Sequence, residues 1–415
     1  TAGNRHSEIR PSKSEISNLK SQIPEPPPLE EWLKGRTILT VAQDGSGQFK
    51  TIQAALDALQ PGQVVEVLDK GPYVETLTCV NKSDLGLFSR AGTVVRIEEW
   101  KEDPHSQGRL GLHFGNCSDL RLSGLTFECG TIPLETYRTL NLYDVPDTCI
   151  ENCGFVSSPS DSVLRPALSL HPAAVRDSAY TTIRDCRFDE VSLSFRPAAF
   201  ASNIRIEHCF FRSTTKAHPL TIHTSGDPSA KTVARVHHNV IISSTSTPVS
   251  FRCNNPAEDE TNELVVDHNT ISSRVPEGGW NRSLLVLYGL PAKDLRWTNN
   301  LLLGDPQFGI NNDLPDSVRE LALKHWQVIG NAFAEVHGSD PFLSKPGNHP
   351  LDLSSIPQDF SDSACFRIPA TGPLATGSND SSMPYIGALP PGPAPPDGDW
   401  LTRVLDRWES AENHR

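Results

Sequence analysis

The sequence predicts an all-β chain wound into a single-stranded right-handed parallel β-helix, entered through a capping helix and finished by a C-terminal strap and helix. The first of three observations is a repeat. The pattern apolar-x-x-(Asn or Cys)-x-apolar recurs as Ile150…Cys153…Phe155, Ile183…Cys186…Phe188, Ile206…Cys209…Phe211, Val236…Asn239…Ile241, Val266…Asn269…Ile271, Trp297…Asn300…Leu302 and Val328…Asn331…Phe333. Its fourth positions step by 33, 23, 30, 30, 31 and 31 residues, the period of a solenoid whose coils bury apolar side chains only against neighbouring coils. The second observation is another strand pattern upstream in each coil: Leu112-His-Phe114-Gly115, Leu140-Asn-Leu142-Tyr143, Leu168-Ser-Leu170-His171, Leu193-Ser-Phe195-Arg196, Leu220-Thr-Ile222-His223, Val249-Ser-Phe251-Arg252 and Leu285-Val-Leu287-Tyr288. Alternation turns its two apolar residues inward and the other two outward. The third is an amphipathic helix over Thr51–Leu59, entered by Thr51 and left at Pro61–Gly62.

Along the chain, residues 1–37 are polar and then proline-rich through Pro24, Pro26, Pro27 and Pro28, which predicts a linker or strap rather than a packed element. Thr37–Val41 and Val64–Leu68 read as strands, with a turn at Asp44–Gly47 between them. The β-helix is expected over residues 38–335, with Leu122…Leu125…Phe127 as an earlier coil. Asn in the repeated slot tolerates the left-handed backbone of a sharp bend, and stacked amides can hydrogen-bond from coil to coil. Cys153, Cys186 and Cys209 occupy that slot as small buried hydrophobes. Residues 336–415 form an irregular strap rich in Pro, Gly, Ser and Asp. It ends in a helix over Asp399–Glu412 whose Trp400, Leu401, Val404, Leu405 and Trp408 are expected to close the open end of the solenoid.

Composition narrows the function. The net charge is −13, which disfavours nucleic acid as a partner, since phosphate binding needs a dense Lys/Arg surface. No apolar run reaches the roughly 20 residues of a membrane span. The chain starts at Thr1 and reads as a mature form or an excised portion of a longer protein. Nine cysteines, an odd number without CxxC or Cys/His zinc spacing, announce neither a metal site nor a disulfide framework. A monomer is expected.

Over Val41–Glu75 the sequence VAQDGSGQFKTIQAALDAL…VLDKGPYVETL, with Gly71-x-Tyr73-x-Glu75, resembles the opening of pectin methylesterases and of pectin-lyase-like proteins more widely. The resemblance implies a right-handed parallel β-helix capped by the helix. It does not extend to activity, because the esterase motifs QAVAL, QDTL, DFIFG and LGRPW are absent, as are the NTD, paired-Asp, GHG and RIK motifs of polygalacturonases. Val266-Asp267-His268-Asn269 is similar to the WIDH element of pectate lyases, but it lies in the repeated bend and is read as structural. The entry segment is also similar to non-kinase regions of planctomycete-type receptor Ser/Thr kinases, although the chain has no kinase Gly-rich loop, HRD or DFG element. That similarity implies a sensor or scaffold part of a larger cell-surface protein.

The outward column of the upstream strands reads Tyr143, His171, Arg196, His223, Arg252, Tyr288, with Asn141, Ser169, Ser194, Thr221 and Ser250 beside it. Coils about 4.8 Å apart make this a groove-length feature. Tyr rings stack on sugars, Arg grips carboxylates in bidentate fashion, and His donates, accepts or takes protons near neutral pH. Two Arg and two His in a column without acids, in an acidic protein, point to an acidic, uronate-containing polysaccharide and an extracytoplasmic location. Hydrolysis requires two carboxyl groups roughly 5 to 10 Å apart, which the column lacks. A β-elimination lyase instead needs a cation, a base and an acid. His223 with Arg196 and Arg252 are the catalytic candidates, and Tyr143, His171 and Tyr288 the substrate-binding ones. A non-catalytic carbohydrate-binding or scaffold role is the alternative.

No cofactor is called for, although loop acids such as Asp144, Asp147, Asp161, Asp227 and Glu258 could build a calcium site. Glu75 is read as structural. His237 and His238, beside His208 and His268 in adjacent coils, form a stack that could take a transition metal, with a structural role as the plainer reading.

Overall fold

The computed structural model describes residues 25–102, 109–129, 138–157, 167–171, 179–195, 202–214, 218–223, 232–244, 246–252, 263–273, 285–288, 294–304, 320, 326–334, 346–352 and 366–412. Each coil gives one strand to a second sheet and a bent pair of strands to a first. The first sheet holds pairs such as Thr148–Glu151 with Gly154–Ser157, Ala179–Arg184 with Arg187–Asp189, and Glu263–Asp267 with Thr270–Ser273. The second holds Leu77–Val80, Arg109–Gly115, Arg138–Tyr143, Ala167–His171, Ser192–Phe195, Leu220–His223, Val249–Arg252 and Leu285–Tyr288. Pairing among the described strands is parallel, apart from Lys101–Glu102, which runs antiparallel to Arg109–Gly115. The chain is a parallel β-helix, as the repeat predicts.

Register keeps identical slots over one another. Ile150, Ile183, Ile206, Val236, Val266, Trp297 and Val328 face each other from coil to coil. Across the bend, Phe127, Phe155, Phe188 and Phe211 stack with ring centroids 5.3, 5.1 and 4.7 Å apart. Between these files lies the predicted buried slot: Cys153, Cys186, Cys209, Asn239, Asn269, Asn300 and Asn331 are all fully buried. The Oδ1 of Asn269, Asn300 and Asn331 accepts from the backbone N–H and side-chain Nδ2 of the preceding coil's Asn, as Asn269 does from Asn239 at 2.9 and 3.0 Å, and Asn239 Oδ1 accepts from Cys209 N at 2.9 Å. Each Nδ2 also donates to a backbone carbonyl, Val236 O at 2.8 Å for Asn269.

The bend itself differs from expectation. The left-handed residue is the one before the slot, namely Asn152, Asp185, His208, His238, His268, Asn299 and Gly330, with φ between 50° and 75°. The slot residue instead turns its side chain inward, where its amide must be satisfied. Division of labour explains the sequence: a polar residue or glycine tolerates the turn, and a small or amide side chain fills the stack.

Within residues 25–37, helix α1 (Leu29–Trp32) is packed, unlike the linker or strap expected there, and residues 1–24 lie outside the described residues. Leu29 and Trp32 pack on Leu33, Val64 and Phe88, Arg121 donates to Pro27 O at 2.8 Å, and a side chain at Gly86 would meet the Trp32 ring at 2.5 Å. Helix α2 (Ile52–Ala58) is the predicted cap, with Thr51 Oγ1 accepting from Ala54 N. Glu75 completes it, accepting from Ile52 N at 3.0 Å and Gln53 N at 2.8 Å. A carboxylate at a helix N-terminus is favourable, which gives Glu75 a structural role.

After the short helix α3 (Pro373–Thr376), helix α4 (Trp400–Glu412) ends the described chain. It does not close the solenoid's open end. Trp400, Leu401 and Val404 lie on the flank, against Phe210, Val240 and Ile242 together with Phe366, Ala388 and Leu389. Further along, Ile368, Leu374 and Ile386 cover Leu301, Leu303, Ala332 and Ala334, while Arg407 donates to Asn152 O. The outer side of these strands is apolar over several coils, so covering it buries more hydrophobic area than capping one end.

Replacing Asn269 by Ala leaves the buried Asn239 N–H without its acceptor, at about 1 to 3 kcal/mol, and removes the Nδ2 donor from Val236 O and Asn300 Oδ1. The expected loss is about 3 kcal/mol or more in chemical denaturation. Burial also pushes the Cys153 and Cys186 thiols well above the usual range. Both should resist a thiol reagent in the folded protein and react only after unfolding.

Candidate functional site

The sequence column is reproduced in the backbone of the second sheet. Val80 faces Gly115, Gly115 faces Tyr143 and Tyr143 faces His171 on successive strands. Further along, His223 faces Arg252 and Arg252 faces Tyr288. Tyr143 is 39% exposed and Val80 42%, so this end of the column is open to solvent. His223 is half-buried. Arg196 lies outside the described residues, as do the side chains of His171, Arg252 and Tyr288, although the last three occupy the predicted strands.

The neighbouring file departs from expectation. Asn141, Ser169, Ser194 and Ser250 point out of the core yet are all less than 9% exposed. The second sheet is therefore not an open face at every outward position. Of the proposed loop acids, Asp144 and Asp147 occupy left-handed positions in the turn leading to the first sheet, and Asp161, Asp227 and Glu258 lie outside the described residues.

The bend of the first sheet gathers the four histidines that the repeat aligns. His238 and His268 stack with centroids 5.3 Å apart and planes 6° from parallel, and His208 follows 5.6 Å from His238. His237 reaches Glu207 through Nε2 at 3.1 Å and His238 through Nδ1 at 3.0 Å. Burial opposes charge on Glu207, but the hydrogen bond and charge of His237 bring its carboxyl down to about 2. Burial holds His208 at about 4 and, with the neighbouring imidazoles, His238 at about 2. Among the described residues no group of three or more His, Cys, Asp or Glu is placed to hold a metal ion.

His268 is different. Fully buried, it places Nδ1 2.6 Å from Asp267 Oδ2, and Asp267 Oδ1 accepts from Thr298 Oγ1 at 2.7 Å and Asn299 Nδ2 at 3.0 Å. Its Nε2 meets the strap, 3.2 Å from Met383 O and 3.3 Å from Ser378 Oγ. The Ser378–His268–Asp267 succession follows the order of an acyl-transfer triad, yet it cannot work as one. A carbonyl oxygen only accepts, so Nε2 carries a hydrogen, and the carboxylate keeps the other on Nδ1. An imidazolium cannot take the serine proton. Burial opposes that charge, but the hydrogen bond and charge of Asp267 outweigh it and raise His268 above its usual value. This ion pair clamps the strap to the bend. Reading Val266–Asn269 as structural was sound, but Met383 and Ser378 lie more than a hundred residues away, and no sequence signal joins them.

No protein-family model matches the chain, and no curated protein matches it either. The likeness of Val41–Glu75 to pectin methylesterases therefore carries as far as the parallel β-helix and its capping helix. Membership of that family, or a link to receptor kinases, is not shown.

The histidines predict a two-sided pH dependence. His268, raised above 6.5, contributes stability that is complete below that value and lost as pH rises through the raised one. His208 and His238, depressed from 6.5, oppose folding as pH falls below 6.5, and the penalty grows towards pH 4. In thermal melts across pH, His268→Asn should remove the alkaline decline, and His238→Asn should soften the acid one. Both substitutions install a residue that the same bend already uses at Asn152 and Asn299.

Proposed function

We propose that this chain is an extracytoplasmic carbohydrate-binding β-helix that lays an acidic polysaccharide along the outer file of its second sheet. The observation that carries the reading is register: Tyr143 beside His171, and His223 beside Arg252 beside Tyr288, one coil apart. A repeating polymer is the ligand that such a linear array suits, because one chain can meet equivalent positions on several coils. Solvent-exposed Tyr143 offers an aromatic face for a sugar ring, and Arg252 offers a fork for a uronate carboxylate. Among the described residues no helix is long and apolar enough to cross a membrane.

Uronate polysaccharides should be screened for binding by calorimetry, while the absorbance of an unsaturated product is followed. Arg196→Ala or Arg252→Ala should each weaken binding by about 10- to 150-fold, the equivalent of a charge-assisted contact of about 1.5 to 3 kcal/mol. The loss should shrink at high salt. If product forms, a lyase with His223 as base is at work, and His223→Ala should lower turnover by roughly a hundredfold while sparing affinity. Binding without product selects the non-catalytic module. Variants that bind every glycan as the parent does would remove the second sheet from consideration.

A further inference from the structure

The outward side of the first sheet carries two adjacent charge columns that follow opposite rules. In one, Glu151, Arg184, Glu207, His237 and Asp267 face each other on successive coils, so acids alternate with basic residues. Bonds follow the alternation: Arg184 pairs with Glu151 at 2.6 Å and His237 with Glu207 at 3.1 Å. Facing charges of opposite sign stabilise a sheet and like charges destabilise it, so this column needs nothing from outside. In the other, Arg205 faces Arg235, Arg235 faces Val265 and Val265 faces Arg296. Three arginines thus fall within four coils with no acid between them.

Among the described residues Arg205 has only a long contact, 3.6 Å to Glu207. Arg235 is 6% exposed, and its Nη2 is buried without a hydrogen-bond partner. Among the described residues neither Arg235 nor Arg296 forms an ion pair. Burial, then the charges of Arg205 and Arg296, depress Arg235 to about 10, and Glu263 offsets only part of this. A buried guanidinium is normally paired, and orphaned polar atoms of this kind are rare enough to call for a reason. Val265, half-buried, is the short side chain between the two arginines, and the file alongside runs Tyr180, Asn203, Val233, Glu263 and Asp294 on successive strands.

We propose that Arg205, Arg235 and Arg296 form an oxyanion-binding site on the first sheet, taking sulfate or carboxylate groups over Val265. It is distinct from the second-sheet column and does not depend on it. The oxyanion arrives either as a free ion or as a substituent of an anionic glycan. The acid that the arginine file itself lacks is then supplied by the ligand, since a guanidinium fork matches an oxyanion in bidentate fashion, while Glu263 in the adjoining file leaves Arg235 short of a full partner.

The full chain should be melted at constant ionic strength in chloride, with millimolar sulfate, with a sulfated oligosaccharide and with an oligouronate. Sulfate or a glycan should raise the parent's midpoint by about 2 °C or more. Arg235→Met and Arg296→Met should abolish the rise. Without ligand, Arg235→Met should melt at or above the parent, because it removes a buried, unpaired charge. A glycan acting at tenfold lower concentration than sulfate marks the polymer as the source, and equal potency marks the free ion; either supports the site. Arg252→Ala should keep the response, which separates this site from the second sheet. No anion-dependent rise in the parent, or an undiminished rise in both Met variants, overturns the proposal.

Discussion

Coil-on-coil stacking of the inner bend position is the constraint on which the rest of the structure depends. A parallel β-helix has no central core to collapse around, so each coil is held by the one before it and the one after it. At the bend the backbone leaves the strand, and its amides lose their ladder partners unless something in the interior replaces them. The Asn239, Asn269, Asn300 and Asn331 amides do this, each accepting from the backbone of the previous coil and donating to a carbonyl deeper in. In the earlier coils Cys186 and Cys209 thiols approach the same carbonyls. Those bonds are weaker, and the stacked Phe127, Phe155, Phe188 and Phe211 rings beside them supply packing instead.

With register fixed inside, the outside of the solenoid becomes a set of straight files, and each file must solve the problem of like residues stacked at one-coil steps. The Glu151–Arg184–Glu207–His237–Asp267 file alternates charge. The apolar positions from Phe210 to Ala334 are covered by the strap and α4. The Arg205–Arg235–Arg296 file does not alternate charge, and such a file is where an outside partner gains most. The same geometry that makes a solenoid easy to stabilise internally makes its surface a linear template.

The His268–Asp267 pair shows how the strap joins this scheme. A left-handed bend residue projects from the first sheet, and in three consecutive coils that residue is histidine. Only one imidazole in such a stack can carry charge cheaply. His268 takes it because Asp267 and the Met383 carbonyl both require a donor, and the neighbours His238 and His208 are held neutral by burial and mutual proximity.

The sequence by itself determined the coils, because repetition at one spacing puts equivalent residues in equivalent places whatever the loops between them do. The buried slot, the phenylalanine stack and the file running through Tyr143, His223 and Arg252 were all legible from periodicity. The left-handed position was misplaced by one residue, since periodicity marks a bend without saying which of its residues turns the backbone and which fills the interior. Contacts between segments far apart in sequence had no periodic signal at all. Only the tertiary structure could seat Trp32 on Gly86, lay α4 along the flank, bring Met383 to His268, bury the outward Ser169 and Ser250, and leave Arg235 Nη2 buried without a hydrogen-bond partner among the described residues. Each of these depends on which surface a non-repeating segment covers, and that is decided by the summed burial and hydrogen bonding of the folded chain.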